Sequence, residues 1–582
     1  MKQITYYILL CMLFTMSACK NNTAETTDQK NANDAFGKYC SDFIQALWKQ
    51  NPEWASATGY HAYDSLYSEN TIEAMRKGVA WNDEWNKRLE EIQYDSLSSG
   101  NQVDYRILQN QFKSAHFYFD TYKSYEWDPT SYNIGGMIDA TLNHQKLPLN
   151  KRLNNLNARL QYVPAYYKNA QSQLKECTHE HCALAIQQNT GALWFFDYAF
   201  PDSLKKSSLS DAQRALFEKN SALAKQAVLD YVAFLEKEKL PNAKKSPRVG
   251  KDIYLQKFAY EIQSDRSADE IFKDAMDRKA YLHMQMAKIS MELWPKYMHA
   301  TPVPADTLKL VRAMIDKLSE KHCKPEDFMT TIEKQLPELT AFIEQKDLVT
   351  MDKTKPLKVR KTPEYMAGVA GASINSPGPY DTNATTYYNV TPLTRYSPAE
   401  AESYLREYND YVLQILNIHE AIPGHYTQLI YSNRSPSLIK SVFGNGTMVE
   451  GWACYVERMM IEEGYNQSPE MQLFYYKWNL RECTNMILDY SVHCNNMSEE
   501  QAMHLLADEA FQQSAEAKEK FHRAMVTNVQ LSSYYTGLSE IYQLREDYRK
   551  QEGQHFSLKK FHETFLSYGS APVRLIRDMM LR

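Results

Sequence analysis

The sequence predicts a mainly α-helical protein that contains a small β-structured element. Glycine supplies only 19 of the 582 residues, and sheets joined by tight turns need more glycine than long helices do. Helix-start signals recur along the chain, and neither a flexible interdomain linker nor an internal repeat interrupts it. The folded part is therefore expected to be one helical unit.

The first residues have the pattern of a bacterial secretion signal that ends at a lipid attachment site. Lys2 precedes the mostly apolar stretch 5–15, which is too short to be a stop-transfer helix. The sequence Met16-Ser17-Ala18-Cys19 resembles the lipobox of bacterial lipoproteins, in which Cys19 would be freed by cleavage and acylated. The alternative is an uncleaved membrane anchor with an incidental cysteine.

These features divide the chain into three parts. Residues 1–18 are predicted to be the signal peptide, and residues 19–35 the lipidated cysteine and a polar, flexible tether. Residues 36–582 are predicted to form a single helical domain. We expect the protein in the cell envelope, anchored to a bacterial membrane by acylated Cys19 and facing the periplasm or the cell surface.

Composition excludes a disordered protein, and charge argues against a nucleic-acid-binding one. With 43% hydrophobic and 24% charged residues, the chain has the composition of a globular protein and not of a disordered one. Its formal net charge is −5, so it lacks the global positive field that attracts a phosphate backbone. No nucleic-acid partner is expected.

Local signals place individual helices and strands. Capping boxes at Ser267–Glu270 and Ser498–Gln501, and a serine, proline and glutamate in preferred order at Ser397–Glu400, predict that helices begin there. The region 357–393 is the most strand-like part of the chain, because residues 385–390 are rich in β-formers and follow a stretch rich in Gly, Ala, Ser and Pro. We predict a small hairpin there.

The cysteine count predicts at least one unpaired thiol in an oxidising compartment. Of nine cysteines, one is removed with the signal and Cys19 is acylated, which leaves an odd number. Cys177 and Cys182 are close enough in sequence to form a disulfide, and two histidines lie between them. Their spacing matches no common zinc pattern, so a disulfide or a plain loop is favoured over a metal site.

The segment His419-Glu-Ala-Ile-Pro-Gly-His425 carries the residues of a metallopeptidase helix at an unusual spacing. In the usual pattern the second histidine follows the first by four residues, so both imidazoles reach one ion and the glutamate reaches its water. Here the interval is six residues. Pro423 must kink or bulge the helix, and Gly424 tolerates an unusual backbone, so a two-residue bulge would restore His425 as a ligand. The alternative is a proline-kinked helix with two histidines of no metal-binding role.

Glu450 lies 25 residues after His425 and is the predicted third ligand of a zinc ion. Three protein ligands and one water form an open catalytic site and not a closed structural one. Glu457, two helical turns later on the same face, is predicted to orient a histidine ligand or the substrate amine. The alternative for Glu450 is a carboxylate that is favoured by the start of a helix.

These two segments resemble hallmark segments of the bacterial domain-of-unknown-function 885 family. The resemblance extends over nearly the whole mature chain and includes Asn51–His61, Pro377–Asn389, Arg481–His493, Tyr534–Gly537 and Phe561–Pro572. It implies a large, largely helical architecture like that of zinc oligopeptidases such as thimet oligopeptidase, neurolysin and angiotensin-converting enzyme. Many members carry a second histidine where this chain has Tyr426, and we interpret His425 as the ligand.

The resemblance and the local spacing suggest further site residues. Glu420 is the predicted proton acceptor, and Tyr534 is the first choice for stabilising the oxyanion, since related peptidases keep a tyrosine near a glycine there. Tyr535 and His493 are the reserves for that role, and Asp489 could hydrogen-bond to His493 one helical turn away. A second set is predicted to bind substrate: Tyr387, Tyr388 and Asn389 by pairing with an extended peptide, and Arg481 or Arg545 by holding its terminal carboxylate.

The sequence therefore predicts a lipid-anchored zinc metallopeptidase that hydrolyses short peptides by Glu-assisted attack of zinc-bound water. Two alternatives remain open. One is a non-catalytic peptide-binding lipoprotein of the same fold, and the other is a zinc amidase that acts on peptidoglycan stem peptides.

Overall fold

A computed structural model of the chain describes residues 27–144, 146–362, 371–381, 384–393 and 396–581. The predicted signal peptide and Cys19 lie outside the described residues. The first described helix begins at Thr27, so residues 27–35, which the sequence assigns to the tether, are helical here. The first buried side chain is that of Phe36.

Helices dominate the described chain, as predicted. The first part contains α1 Thr27–Gln50, α2 Pro52–Ala57, α3 Ile72–Glu90, α4 Ser99–His116, α5 Ser124–Trp127, α6 Gly135–Leu142, α7 Leu149–Leu160, α8 Val163–Gln173, α9 His179–Trp194, α10 Phe200–Lys206, α11 Asp211–Phe234, α12 Lys251–Glu261, α13 Ala268–Met298, α14 Thr307–Leu318 and α15 Phe328–Lys346. The second part contains α16 Pro398–Glu407, α17 Asp410–Glu420, α18 His425–Asn433, α19 Leu438–Val442, α20 Gly446–Glu462, α21 Pro469–Cys494, α22 Glu499–Met503, α23 Ser514–Val526, α24 Ser532–Glu552, α25 Leu558–Ser567 and α26 Val573–Met580.

The predicted helix starts are confirmed. Ser267, Ser397 and Ser498 are the N-cap residues of α13, α16 and α22. Each forms the complete capping box, in which its side chain accepts from the third backbone N–H of the helix and the Glu or Gln at that position bonds back.

The β-structured element is a three-stranded sheet and not only a hairpin. Its strands are β1 (Leu357–Lys361), β2 (Ala372–Asn375) and β3 (Thr386–Val390), in the order β1-β3-β2. β1 is parallel to β3, and β2 is antiparallel to it. The central strand is thus paired along both edges.

Two hydrophobic cores hold the helices together. The larger one combines helices from both ends of the described chain with those of the second half, and the smaller one lies within residues 132–235. The fully buried guanidinium of Arg159 on α7 connects the smaller part to the α2 region, because it donates to Ser56 Oγ at 2.8 Å and to the carbonyl of Leu66 at 2.9 Å.

No helix among the described residues is both long and apolar enough to span a membrane. The cysteines of that part of the chain are free thiols. Cys177 and Cys182 are buried near the start of α9, where His181 Nδ1 lies 2.6 Å from Thr178 Oγ1.

Candidate metal centre

Two short helices and a tight turn bring His419 and His425 to the same side. α17 ends at Glu420 and α18 begins at His425. The predicted bulge within one continuous helix is therefore wrong, because the helix stops and a second one starts. Pro423 has no N–H to continue the ladder, and the Gly424 N–H instead reaches back to the carbonyl of Ile418 at 3.0 Å.

Gly424 is required by the close approach of this turn to α17. A Cβ at this position would overlap the carbonyl oxygen of His419. The Ile422–Pro423 peptide bond is cis, and the indole of Trp452 on α20 donates to the Pro423 carbonyl at 2.9 Å. The turn is thus fixed to the helix that carries the third candidate ligand.

Two glycines let α20 and α24 pack against each other at backbone distance. A Cβ on Gly537 would overlap the carbonyl of Thr447 and would lie 2.5 Å from Gly451 Cα. Glu450 precedes Gly451 on α20, and Tyr534 lies one turn before Gly537 on α24. The absence of two Cβ atoms therefore brings Glu450 and Tyr534 to one site.

The separations of Glu450 from the two candidate histidine ligands are close to those found around a tetrahedral ion. Glu450 Oε2 lies 3.6 Å from His419 Nε2 and 3.5 Å from His425 Nε2. Two ligands at zinc's usual bond lengths are about 3.3 Å apart in tetrahedral geometry. Glu450 Oε2 is buried and has no hydrogen-bond partner, so the donor set is suited to a cation. These residues could hold a metal.

The charges at this cluster also favour a cation. Burial works against ionisation of Glu450, but the imidazoles of His419 and His425 outweigh it and lower the pKa of the carboxyl. Burial likewise disfavours the charged form of His419, yet Glu450 and Glu420 outweigh it and raise the pKa of the imidazole. Glu450 and Glu420 thus stabilise a proton on the His419 imidazole, and a divalent ion bound there would take the place of that proton.

Tyr426 is not part of the cluster. Its side chain is buried, and its hydroxyl donates to the carbonyl of Lys355 at 2.8 Å. Since the ligand nitrogen of His425 faces Glu450, the substitution of the family's second histidine by Tyr426 leaves the three-residue group complete.

Glu457 fixes the orientation of His419 from the protein interior. Its Oε1 lies 2.6 Å from His419 Nδ1, which leaves Nε2 to face Glu450. Cys454 belongs to a second possible metal group with His419 and Glu457, but that group is fully buried. Burial also raises the pKa of the Cys454 thiol well above its usual value, so the group with Glu450 is the better metal site.

Glu482 on α21 is a residue of this region that sequence reasoning missed. Its carboxyl group interacts electrostatically with that of Glu457 and accepts from the Asn479 amide at 2.6 Å. Burial raises the pKa of both carboxyl groups well above the usual value. No sequence signal indicates Glu482, because its partner belongs to another helix.

Glu420 and Tyr534 lie beside the three-residue group. Burial raises the pKa of Glu420, and His425 and His419 offset only part of that effect. The Tyr534 ring centre is 6.5 Å from that of His419. Burial and then Glu450 raise the pKa of Tyr534 to about 12, so its hydroxyl is protonated at neutral pH. Tyr535 instead donates to the carbonyl of Asp274 at 3.2 Å.

The structure does not bring His493 and Asp489 to the metal cluster. His493 Nε2 lies 2.9 Å from the carbonyls of Ala524 and Thr527, and burial lowers the pKa of its imidazole to about 4. Asp489 accepts from Tyr254 and Ser532, each at 3.0 Å. Asp489 Oδ1 lies 3.8 Å from His493 Nε2, so the two side chains are close to each other, as the spacing predicts. Their other contacts join helices, and the catalytic role of His493 stays a prediction.

The predicted carboxylate anchors are already neutralised inside the fold. Arg481 pairs with Glu516 and lies 3.7 Å from Glu407. Arg545 Nη1 lies 2.8 Å from Glu462, and its side chain is 4% exposed. Both arginines are thus paired with carboxylates of the protein itself, although Arg481 Nη1 has no hydrogen-bond partner, and their role in binding a substrate carboxylate stays a prediction.

The predicted peptide-binding strand is unsuitable as well. β3 is central, so it has no free edge for a peptide, and only β1 or β2 could accept a strand in the described part of the chain. Tyr388 and Asn389 are fully buried. Tyr388 donates to Asn417 on α17 at 2.8 Å, so it fixes the sheet to the helix that carries His419. Tyr387 packs against the Arg360 guanidinium at 4.0 Å.

A cavity of about 570 Å³ lies on α15 and β1. Ile422 and Tyr426 contribute to its wall, but His419, His425 and Glu450 do not. The cavity therefore borders the turn between α17 and α18 but does not contain the candidate ligand atoms.

Comparisons with known proteins define the family. Two solved structures, each described as a putative lipoprotein, resemble the chain. The one from Shewanella oneidensis, of unknown function, is 47% identical, with a TM-score of 0.84 and coverage of 94% of this chain and 100% of that one. The one from Colwellia psychrerythraea is 17% identical, with a TM-score of 0.77 and coverage of 95% and 98%, and so it shows the fold alone.

An M32 carboxypeptidase from Deinococcus radiodurans R1 is 10% identical, with a TM-score of 0.33 over 84% of this chain and 90% of that one, which is too distant to support an inference. No curated protein matches the chain. The model of the family described as bacterial protein of unknown function (DUF885) matches residues 52–580. The chain belongs to this family.

Proposed function

We propose that this protein is a lipid-anchored zinc metallopeptidase that hydrolyses short peptides in the cell envelope. The observation that carries the proposal is the group of His419, His425 and Glu450, whose ligand atoms lie within 4.8 Å of one another. The partly exposed Glu420 carboxylate adjoins it and has no hydrogen bond or ion pair to another described residue. A structural metal site would have no use for a free carboxylate beside it.

Each side chain has a distinct task in the proposed reaction. His419, His425 and Glu450 would hold the zinc ion, which supplies Lewis-acid polarisation of the scissile carbonyl and a more acidic water. The Glu420 carboxylate accepts a proton from the attacking water and returns it to the nitrogen of the leaving amine. The Tyr534 hydroxyl donates a hydrogen bond to the oxygen on which negative charge develops. Glu457 keeps His419 in the tautomer that presents Nε2.

Replacing the two glutamates separately tests this assignment. Glu420→Gln keeps size and shape but removes the base, so zinc content should be retained while turnover falls about 10²–10⁴-fold. Glu450→Ala removes one of three ligands, so zinc and activity should fall together. Zinc per chain is measured by elemental analysis, and cleavage of a mixed short-peptide library by mass spectrometry.

Glu500→Gln, at an exposed glutamate on α22, is the matched control and should change neither quantity. Full zinc content in His425→Ala would contradict the ligand assignment. A wild-type protein that binds zinc stoichiometrically but cleaves nothing across the library would favour a peptide-binding lipoprotein over a peptidase.

A further inference from the structure

Helix α23 carries two cationic side chains that have no carboxylate of the described chain at ion-pair distance. Lys520 and Arg523 are three residues apart and so lie on the same face of the helix. Neither forms an ion pair with a described residue. Lys520 is only 5% exposed, and a buried lysine without a partner is uncommon.

Two of the nearby acidic groups are already paired with other cations. Glu407 accepts from Lys477 at 2.9 Å, and Glu516 pairs with Arg481. Lys520 and Arg523 therefore have no described carboxylate at ion-pair distance, although Glu516 and Glu407 act on Lys520, and Glu450 on Arg523, from farther away. Burial, together with Arg481, lowers the pKa of Lys520 well below its usual value, and a bound anion would oppose that effect.

Arg523 connects this charge to the metal cluster. Its Nη2 donates to Tyr534 Oη at 3.2 Å and to Gln530 Oε1 at 2.7 Å. The guanidinium carbon is 5.9 Å from the Tyr534 ring centre, which is in turn 6.5 Å from the ring centre of His419. The Arg523 guanidinium is half-buried, and these two polar contacts leave it donors for a ligand.

These distances limit how much of a peptide can lie between the metal cluster and the guanidinium. An extended residue spans about 3.3–3.6 Å, so at most about three residues fit along that path. The anion that an extended peptide presents at its end is its C-terminal carboxylate, and a guanidinium can bind it with two parallel hydrogen bonds.

We propose that Arg523 and Lys520 form a subsite for the carboxylate of a peptide substrate, so that the protein removes one to three residues from peptide C-termini. This rests on the proposed peptidase function and defines its substrate class. It assigns to Arg523 the role that the sequence suggested for Arg481 or Arg545.

Peptide binding is measured first, in zinc-loaded Glu420→Gln protein, where turnover is low. The probes for calorimetric titration are a neutral tetrapeptide acid, its C-terminal amide, and an amide whose last residue is glutamate. The acid should bind about 10-fold or more tightly than the neutral amide, because charge-assisted hydrogen bonds are lost with the carboxylate. Tight binding of the glutamate amide alone would assign the subsite to a side-chain carboxylate and overturn the C-terminal assignment.

Variants of Arg523 then locate the effect. Adding Arg523→Gln should reduce the preference for the acid to less than about threefold, whereas Arg523→Lys should retain part of it because the charge remains. Lys518→Gln, at an exposed lysine of the same helix, should retain all of it. Circular dichroism and zinc content show whether Arg523→Gln is folded. If it is not, the binding preference of Arg523→Lys decides the outcome. Equal binding of acid and amide by the parent protein, or an undiminished preference without Arg523, would overturn the proposal.

Cleavage products separate failure of this inference from failure of the proposed function. Wild-type protein should release one to three residues from the acid and leave the amide largely intact, as seen by mass spectrometry. Cleavage of both at internal bonds would keep the peptidase and overturn the subsite. Absence of all cleavage would contradict the peptidase, while the binding titration would still decide whether Arg523 recognises a carboxylate.

Discussion

Replacing Gly537 by alanine tests whether the helix crossing positions the site. A Cβ there would lie 2.5 Å from Gly451 Cα and would overlap the Thr447 carbonyl. Nonbonded carbon atoms prefer about 3.5 Å or more, so α20 and α24 would have to separate by about 1 Å. Overpacking of this kind costs about 1–3 kcal/mol.

The separation should affect catalysis more than metal binding. Glu450 moves with α20 and Tyr534 with α24, so the hydroxyl would be displaced from the oxygen it must stabilise. A misplacement of about 1 Å can reduce turnover on the order of 10²-fold. Zinc content should change little, because Tyr534 and the rest of α24 contribute no ligand.

The assay compares Gly537→Ala with Gly446→Ala, whose added Cβ would meet no atom within 4 Å. Thermal denaturation followed by circular dichroism should give a lower midpoint for Gly537→Ala, and peptide cleavage should be slower at similar zinc content. If the two variants are equally stable and equally active, the close crossing of the helices does not position the site.

Other predictions concern the ligands, the anchor and the domain. Tyr426→His should leave zinc content unchanged, because the Tyr426 side chain points to a backbone carbonyl away from the cluster, and a change detected by elemental analysis would contradict His425 as the ligand. Glu457→Gln should weaken zinc binding about 10–100-fold in a chelator competition, and an unchanged affinity would refute its role in orienting His419. Cys19→Ser should shift the protein from membrane to soluble fractions of the native host, and equal membrane association of both forms would exclude lipidation there. Limited proteolysis should trim the N-terminus and then stall, and two stable fragments of comparable size would contradict a single domain over residues 36–582.

The helical class, several helix starts and the candidate metal ligands can be predicted from residues that are close together in the sequence. The glycine shortage and the capping boxes at Ser267, Ser397 and Ser498 indicate the helical class and mark helix starts, because capping is satisfied within one turn. The pair His419 and Glu420, together with His425, indicates metal chemistry through residue type and spacing. Such features need no knowledge of distant contacts.

The backbone conformation of the turn between α17 and α18 was only partly predictable. Pro423 and Gly424 correctly indicate an interruption, since one lacks a donor and the other accepts close backbone contact. Whether the helix bulges or stops depends on what covers the turn, and here the indole of Trp452 bonds to the Pro423 carbonyl.

The sequence by itself determined the helical class, the family and the candidate ligands, since local hydrogen bonding and residue chemistry are contiguous along the chain. Only the tertiary structure decided which polar groups are available for a substrate. Arg481 and Arg545 are paired with glutamates on other helices, His493 bonds to backbone carbonyls, and Tyr388 is buried on the central strand. Arg523, which no motif indicates, hydrogen-bonds to Tyr534 and forms no ion pair with a described carboxylate. The pairing of a charge is settled by which helices pack together, and that information is spread over the whole chain.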